Sequence, residues 1–181
     1  MDGLQGPVVR AVQEFIESGR SAVFFVGDKI NPENYNAFLH NGGRGFFPCR
    51  LNKQAGYDDF KKWVVFEPTS QDLEHPIFNI LEGTEQAAGF LDCVTYKYYS
   101  LEDLDTTPGT RAILHFKDYF DESSQPYPAI VERDVGKGKC ILFNTTADKE
   151  WTELPSNPFY VYILWEMMFY LAYHERTDLN L

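Results

Sequence analysis

The segment "PAIVERDVGKGKCILFNTT", residues 128 to 146, constrains this chain more than any other. Two apolar runs that read as strands are joined by Gly136-Lys137-Gly138, a tight hairpin whose glycines supply the positive φ such turns demand. The same segment could suggest a phosphate cradle. The G-x-x-x-x-G-K-[ST] spacing is absent, however, and the glycines fall between two strands rather than before a helix. "CVTYKYYSL" and "TRAILHFKD" precede the hairpin as further strand-like runs separated by turn-forming clusters, so the second half reads as β-rich.

The first half reads differently. "GPVVRAVQEFIESG" sets Val8, Val12, Phe15 and Ile16 on one helical stripe, with Pro7 in the first turn and Gly19 at the stop. "SAVFFV" follows as an unbroken apolar run closed by Gly27-Asp28, the pattern of a strand covered on both faces in a parallel α/β sheet. Asn31 caps a short helix through "INPENYNAFLH", which the Gly42-Gly43 pair ends. "KWVVFEP" is another buried strand, "DLEHPIFNIL" a short helix or turn, and "TEQAAGFLD" weakly helical. Asn157-Pro158 opens a long closing helix.

The chain length of 181 residues suits one domain with a single core, and the 16% aromatic content implies that large side chains fill it. A net charge of -11, from 16 Lys and Arg against 27 Asp and Glu, repels phosphate backbones and argues against nucleic acid as a partner. The longest greasy run, 159 to 173, is shorter than a bilayer span and is interrupted by Glu166. It reads as a core helix, with no direct membrane insertion by this chain, and "MDGLQGPVV" lacks the pattern of a secretory signal.

Catalytic motifs are sparse. Cys49, Cys93 and Cys140 lack the flanking glycines of a nucleophile elbow, and no G-x-S-x-G is present. His40, His75, His115 and His174 show no metal-ligand spacing, so neither a metal nor a cofactor is expected. What remains is geometric. If the strands ending at Val26, Phe66 and Phe143 run parallel, then Asp28, Glu67, Thr146, Asp148, Glu150 and Trp151 emerge together at the carboxyl edge, where open α/β folds place ligands. The bland alternative is a capped corner, with Thr145 and Asp148 satisfying backbone donors and Trp151 packing beneath. Asp28, Glu67, His75, Thr146, Asp148 and Trp151 are the candidate ligand-binding residues.

Taken in order, "FFVGDKINPENYN", "GGRGFFPCRL", "EHPIF", "YKYYSL" and "AIVERDVGKGKCILFNTTADKEWTELPSNPFYVYIL" resemble one family. It is the class I glutamine amidotransferase-like domain of large bacterial membrane-anchored proteins that also carry a von Willebrand factor A domain and an aerotolerance-regulator-type membrane segment. The likeness covers about Gly19 to Tyr173. It implies a flavodoxin-like three-layer α/β sandwich with a mostly parallel central sheet and a hairpin-rich C-terminal half. The usual first strand of that fold is missing, which implies that residues 1–181 form a single domain taken from, or shortened relative to, a larger protein. True amidotransferases use a Cys, a His and a Glu that this sequence does not supply at the matching places.

The expectation is therefore a soluble, non-catalytic domain with no catalytic residues. It would serve as an interaction or ligand-sensing module for a protein partner or a small molecule, within a cell-envelope-associated parent. The alternatives are a hydrolase using the acidic groups of the carboxyl edge, or a carbohydrate-binding module presenting Tyr96, Tyr98 and Tyr99.

Overall fold

A computed structural model of the chain describes residues 6–58, 60–81, 86–121 and 126–177, with backbone alone for 86–88 and 174–177. Helix α1 (Gly6–Glu17) buries Val9 and Ile16. Val8 and Phe15, expected on the buried stripe, lie exposed instead. The helix stops at Gly19, whose φ is +107°, and β1 (Ser21–Phe25) begins at once. Expected to be covered on both faces, β1 is half-buried because it forms an edge of the sheet.

Asn31 caps the next turn, its side chain accepting from the Asn34 N–H at 3.1 Å. This turn, α2 (Pro32–Asn34), widens into a π-helical segment at Tyr35–His40 and ends in a 3-10 turn at Asn41–Gly43. Two strands follow, β2 (Arg50–Gly56), which hydrophobic patterning did not reveal, and β3 (Val64–Phe66). Beyond them come α3 (Ser70–Leu73), a 3-10 segment at Pro76–Leu81, and α4 (Gln86–Leu91). The first two residues of the predicted helix at "TEQAAGFLD" lie outside the described residues. Strands β4 (Lys97–Glu102), β5 (Thr110–Asp118), β6 (Tyr127–Val135) and β7 (Gly138–Phe143) then lead to α5 (Pro158–Thr177).

The main sheet has the order β1-β7-β6-β5-β3, and β2 pairs with β4 in a separate ribbon. Among the described strands the one parallel pair in this sheet is β1 with β7, in register from Ser21 opposite Lys139 to Phe25 opposite Phe143. The pairs β7/β6, β6/β5 and β5/β3 are all antiparallel. This overturns the expected flavodoxin-like sandwich with a mostly parallel sheet. The reason is chain length: parallel neighbours need a crossover of a dozen or more residues. Here β6 and β7 are joined by Gly136 and Lys137 alone, and β5 and β6 by residues 119–126.

Alternation along the central strands sends side chains to two cores. Ile130, Ile141 and Phe143 join Phe66, Phe78, Phe116 and Ile163 beneath α5. Val131, Cys140 and Leu142 join Ile16, Phe46, Phe47 and Trp151 beneath α1. Asn144, fully buried, ties the ribbon to the sheet. Its amide donates to the carbonyls of Tyr99 (2.8 Å) and Pro128 (2.9 Å), and its Oδ1 accepts from the Tyr99 N–H (2.9 Å).

The Gly-Lys-Gly hairpin has a specific packing role. Gly136 takes φ +61° at the first central position of the two-residue loop, where glycine is favoured. The Lys137 N–H donates to the Glu17 carbonyl at 3.2 Å, so the turn closes the open end of α1. A Cβ on Gly138 would collide with the carbonyl oxygens of Ile16 and Arg20. Because those oxygens belong to the backbone, Gly138→Ala is expected to cost about 3 kcal/mol in denaturant unfolding, whereas Lys137→Ala should stay within about 0.5 kcal/mol of the parent.

Candidate functional site

Parallel β1 and β7 bring two of the three expected loops to one corner. There the exposed Asp28 accepts from Trp151 Nε1 at 3.1 Å, while the indole itself is buried 5.6 Å from the Tyr99 ring. Thr146 Oγ1 accepts from the Trp151 N–H at 3.2 Å and donates to the Asp148 carbonyl at 3.0 Å. Asp148 Oδ1 accepts from the Glu150 N–H at 3.0 Å. Thr146, rather than Thr145, therefore caps the turn, and Thr145 Oγ1 is buried without a partner.

Glu67 does not join this corner. Strand β3 runs opposite to β1 and β7 and lies three strands from β7, roughly 14 Å away at ordinary interstrand spacing. The Glu67 carboxylate instead meets Lys117 at 3.3 Å on the surface. Among the described residues no group of three potential metal ligands converges. Tyr98 and Tyr99 are both buried, so they present no surface platform for a sugar. The thiols are buried as well, and burial pushes Cys49 up to about 12 and Cys93 up to about 11 and raises Cys140, all away from the thiolate form a nucleophile needs.

A second site, built around His75, lies where α3 and the following 3-10 segment meet β5. It is a cleft of about 440 Å³ whose lining includes Thr69, Asp72, His75, Arg111 and His115. Thr69 and Asp72 form a reciprocal capping box: Thr69 Oγ1 accepts from the Asp72 N–H (3.1 Å), and Asp72 Oδ2 accepts from the Thr69 N–H (2.9 Å). The same Oδ2 lies 2.9 Å from His115 Nδ1. An acceptor held by the helix cap fixes the ring orientation and leaves Nε2 as the nitrogen free to meet a ligand.

Behind the cleft sits a buried carboxylate, Glu132. Arg111 stands directly opposite it on β5, and Lys139, opposite Asp134, is its diagonal neighbour on β7. Glu132 Oε1 accepts from Arg111 Nη2 at 3.0 Å and from Lys139 Nζ at 3.1 Å. His75 Nδ1 faces the Ile77 N–H at 3.4 Å, which places the ring proton on Nε2, 3.4 Å from Glu132 Oε2. That contact is electrostatic rather than a well-aligned hydrogen bond, and neither atom has a closer hydrogen-bond partner among the described residues. Burial opposes ionisation of Glu132, but the His75 imidazole and the Lys139 ammonium outweigh it and hold the carboxyl at about 2.

Of the sequence candidates, then, Asp28, Thr146, Asp148 and Trp151 share one corner, His75 lies in the second cleft, and Glu67 belongs to neither. Asp72, Arg111, His115 and Glu132 were missed. Two signals could have found them: Thr69-Ser-Gln-Asp72 is a capping sequence, and the acidic Glu132 interrupts the apolar run "AIVERDV" of a central strand.

Comparison with protein-family profiles and with curated proteins returns no match. Solved structures share the fold. STM3548, a cytoplasmic protein from Salmonella typhimurium, superposes with a TM-score of 0.62 at 14% identity over 94% of this chain and 62% of its own. STM1381, a cytoplasmic protein from Salmonella typhimurium LT2, gives a TM-score of 0.65 at 11% identity over 91% of this chain and 60% of its own. A cold-adapted β-galactosidase from Rahnella sp. R3 gives 0.52 at 14% identity, over 88% of this chain and 20% of its own. The chain thus spans about three fifths of each Salmonella protein and a fifth of the galactosidase. The names of these structural neighbours say nothing of amidotransferases or of a membrane-anchored parent, and the mixed, mostly antiparallel sheet is not the fold that resemblance implied. No helix among the described residues is long and apolar enough to cross a membrane.

The depressed Glu132 value makes acid stability a direct readout of this cluster. A carboxyl held below its ordinary 4.5 stabilises the fold fully above that pH, and the contribution is lost as the pH falls toward about 2. Glu132→Gln removes the buried counter-charge of Lys139, which keeps only the exposed Asp134 carboxylate, and should cost about 2 kcal/mol at pH 7. In urea titrations from pH 7 to 2, the difference between parent and variant should shrink below pH 4.5.

Proposed function

We propose that this domain is a non-catalytic small-molecule-binding module whose ligand site is the His75/Arg111/His115 cleft. The observation that carries the reading is the Asp72-oriented His115 on a cleft that also holds the outward-facing Arg111 guanidinium. Arg111 spends one edge on Glu132, and its side chain is 60% exposed, so further donors remain for a carboxylate or phosphate. His115, its ring held by Asp72 through Nδ1, presents Nε2 as a second hydrogen-bonding atom for a hydroxyl. A ligand with an anionic group beside a hydroxyl, such as a hydroxy acid or a sugar phosphate, matches both.

Two observations weigh against the hydrolase reading at the carboxyl edge. Asp28 and Asp148 are engaged by Trp151 and by the Glu150 backbone, and Glu67 lies on a strand of opposite direction.

Thermal-shift measurements with hydroxy acids, inorganic phosphate and sugar phosphates test the reading. A matching compound at 100 times its Kd should add about 2.7 kcal/mol of stability. The shift should vanish in Arg111→Gln and His115→Ala. No shift across the panel, or equal shifts in parent and variants, would sink the proposal. Conversion of the bound compound, followed by mass spectrometry, would make the cleft an enzyme's instead.

A further inference from the structure

From Phe159 to Tyr173 helix α5 carries a single charged residue, Glu166, and its buried and outward faces are both apolar. Ile163, Met167 and Leu171 are buried beneath it against the sheet. On the outward face, Val161, Tyr162, Trp165, Met168, Phe169 and Tyr173 are 53% to 74% exposed. Every exposed position from 161 to 173 is uncharged, while the half-buried Glu166 stands beside the stripe. A helix that is hydrophobic all round is ordinarily buried on all sides, and an exposed apolar patch of this extent marks an interface.

We infer that the outward face of α5 is a homodimer interface, in which two copies of this chain pack their α5 helices antiparallel across a two-fold axis. Area supports a second copy as the occupant. With aromatic side chains of about 150–250 Å² each, the six residues expose roughly 700 Å². Two copies would bury about 1,400 Å², within the roughly 1,200–2,000 Å² of stable interfaces. Net charge gives no preference for a second copy, since each carries -11 and repels its twin at long range; the exposed stripe itself holds no charge, and Glu166 is half-buried beside it.

The stripe is also close to self-complementary. It runs about 18 Å at 1.5 Å per residue, and a two-fold axis near Met167 sets Trp165 of one copy against Phe169 of the other. Val161 then meets Tyr173. This surface is independent of the ligand cleft, and its test does not depend on ligand binding.

The test is sedimentation velocity on the whole chain from about 1 to 100 μM, a range that brackets ordinary dimer affinities. The parent should dimerise. Trp165→Glu and Phe169→Glu should each weaken the dimer by about 100-fold, as central aromatic anchors do, with unchanged circular dichroism and, at concentrations where the parent is monomeric, an unchanged thermal midpoint. Met168→Cys, near the axis, should form an intermolecular disulfide under mild oxidation, while the parent, whose three cysteines are buried, should not. A parent that stays monomeric at 100 μM overturns the inference and leaves the stripe to another segment or protein. A dimer that survives both Glu substitutions overturns it in favour of a different face.

Discussion

The buried carboxylate of Glu132 is the constraint on which the rest of this architecture depends. A lone charge in the sheet interior would be prohibitively costly, and it is offset by Lys139 from β7, Arg111 from β5 and the His75 imidazole. Each partner arrives from a different element, so neutralising one group fixes the register of three strands and the position of the segment that begins at His75. That segment in turn fixes α3, whose cap residue Asp72 orients His115. The candidate cleft is thus a consequence of how the sheet solves its own electrostatic problem.

Connection length decides the topology. Two residues join β6 to β7, which makes that pair antiparallel, and the return of β5 to β6 is also too short for a crossover. Reversal of β3 follows from its pairing with β5, and it removes Glu67 from the corner that Asp28 and Trp151 share. The hairpin also explains its own glycines. They allow the turn to lie against the end of α1 and satisfy the Glu17 carbonyl, a task of packing rather than of anion binding.

Much of the fold was legible along the chain. The hairpin at 136–138, the caps at Asn31 and Asn157 and the long closing helix all rest on local chemistry: positive φ, which Gly136 takes and Gly138 does not, a side-chain acceptor for free backbone donors, and proline in a first turn. Strand β2 was not legible, because "RLNKQAG" is polar and forms only by pairing with β4. The exposure of Val8 and Phe15 on α1 was hidden for a related reason: periodicity marks an apolar stripe without saying how much of it the sheet covers. At the site, His75 stood out through its "EHPIF" setting, but Asp72, Arg111 and His115 come from segments some 40 residues apart and converge only in three dimensions.

The sequence by itself determined where the chain turns, which runs are apolar, and that no cysteine sits in an elbow fit for nucleophilic attack, since those properties depend on neighbouring residues alone. Only the tertiary structure decided the direction of β3, the neutralisation of Glu132, the convergence of Asp72 with His115, and which side of the largely apolar α5 faces outward. Those depend on which strands pair, and pairing is settled by the burial of one whole sheet face at a time rather than by any single segment.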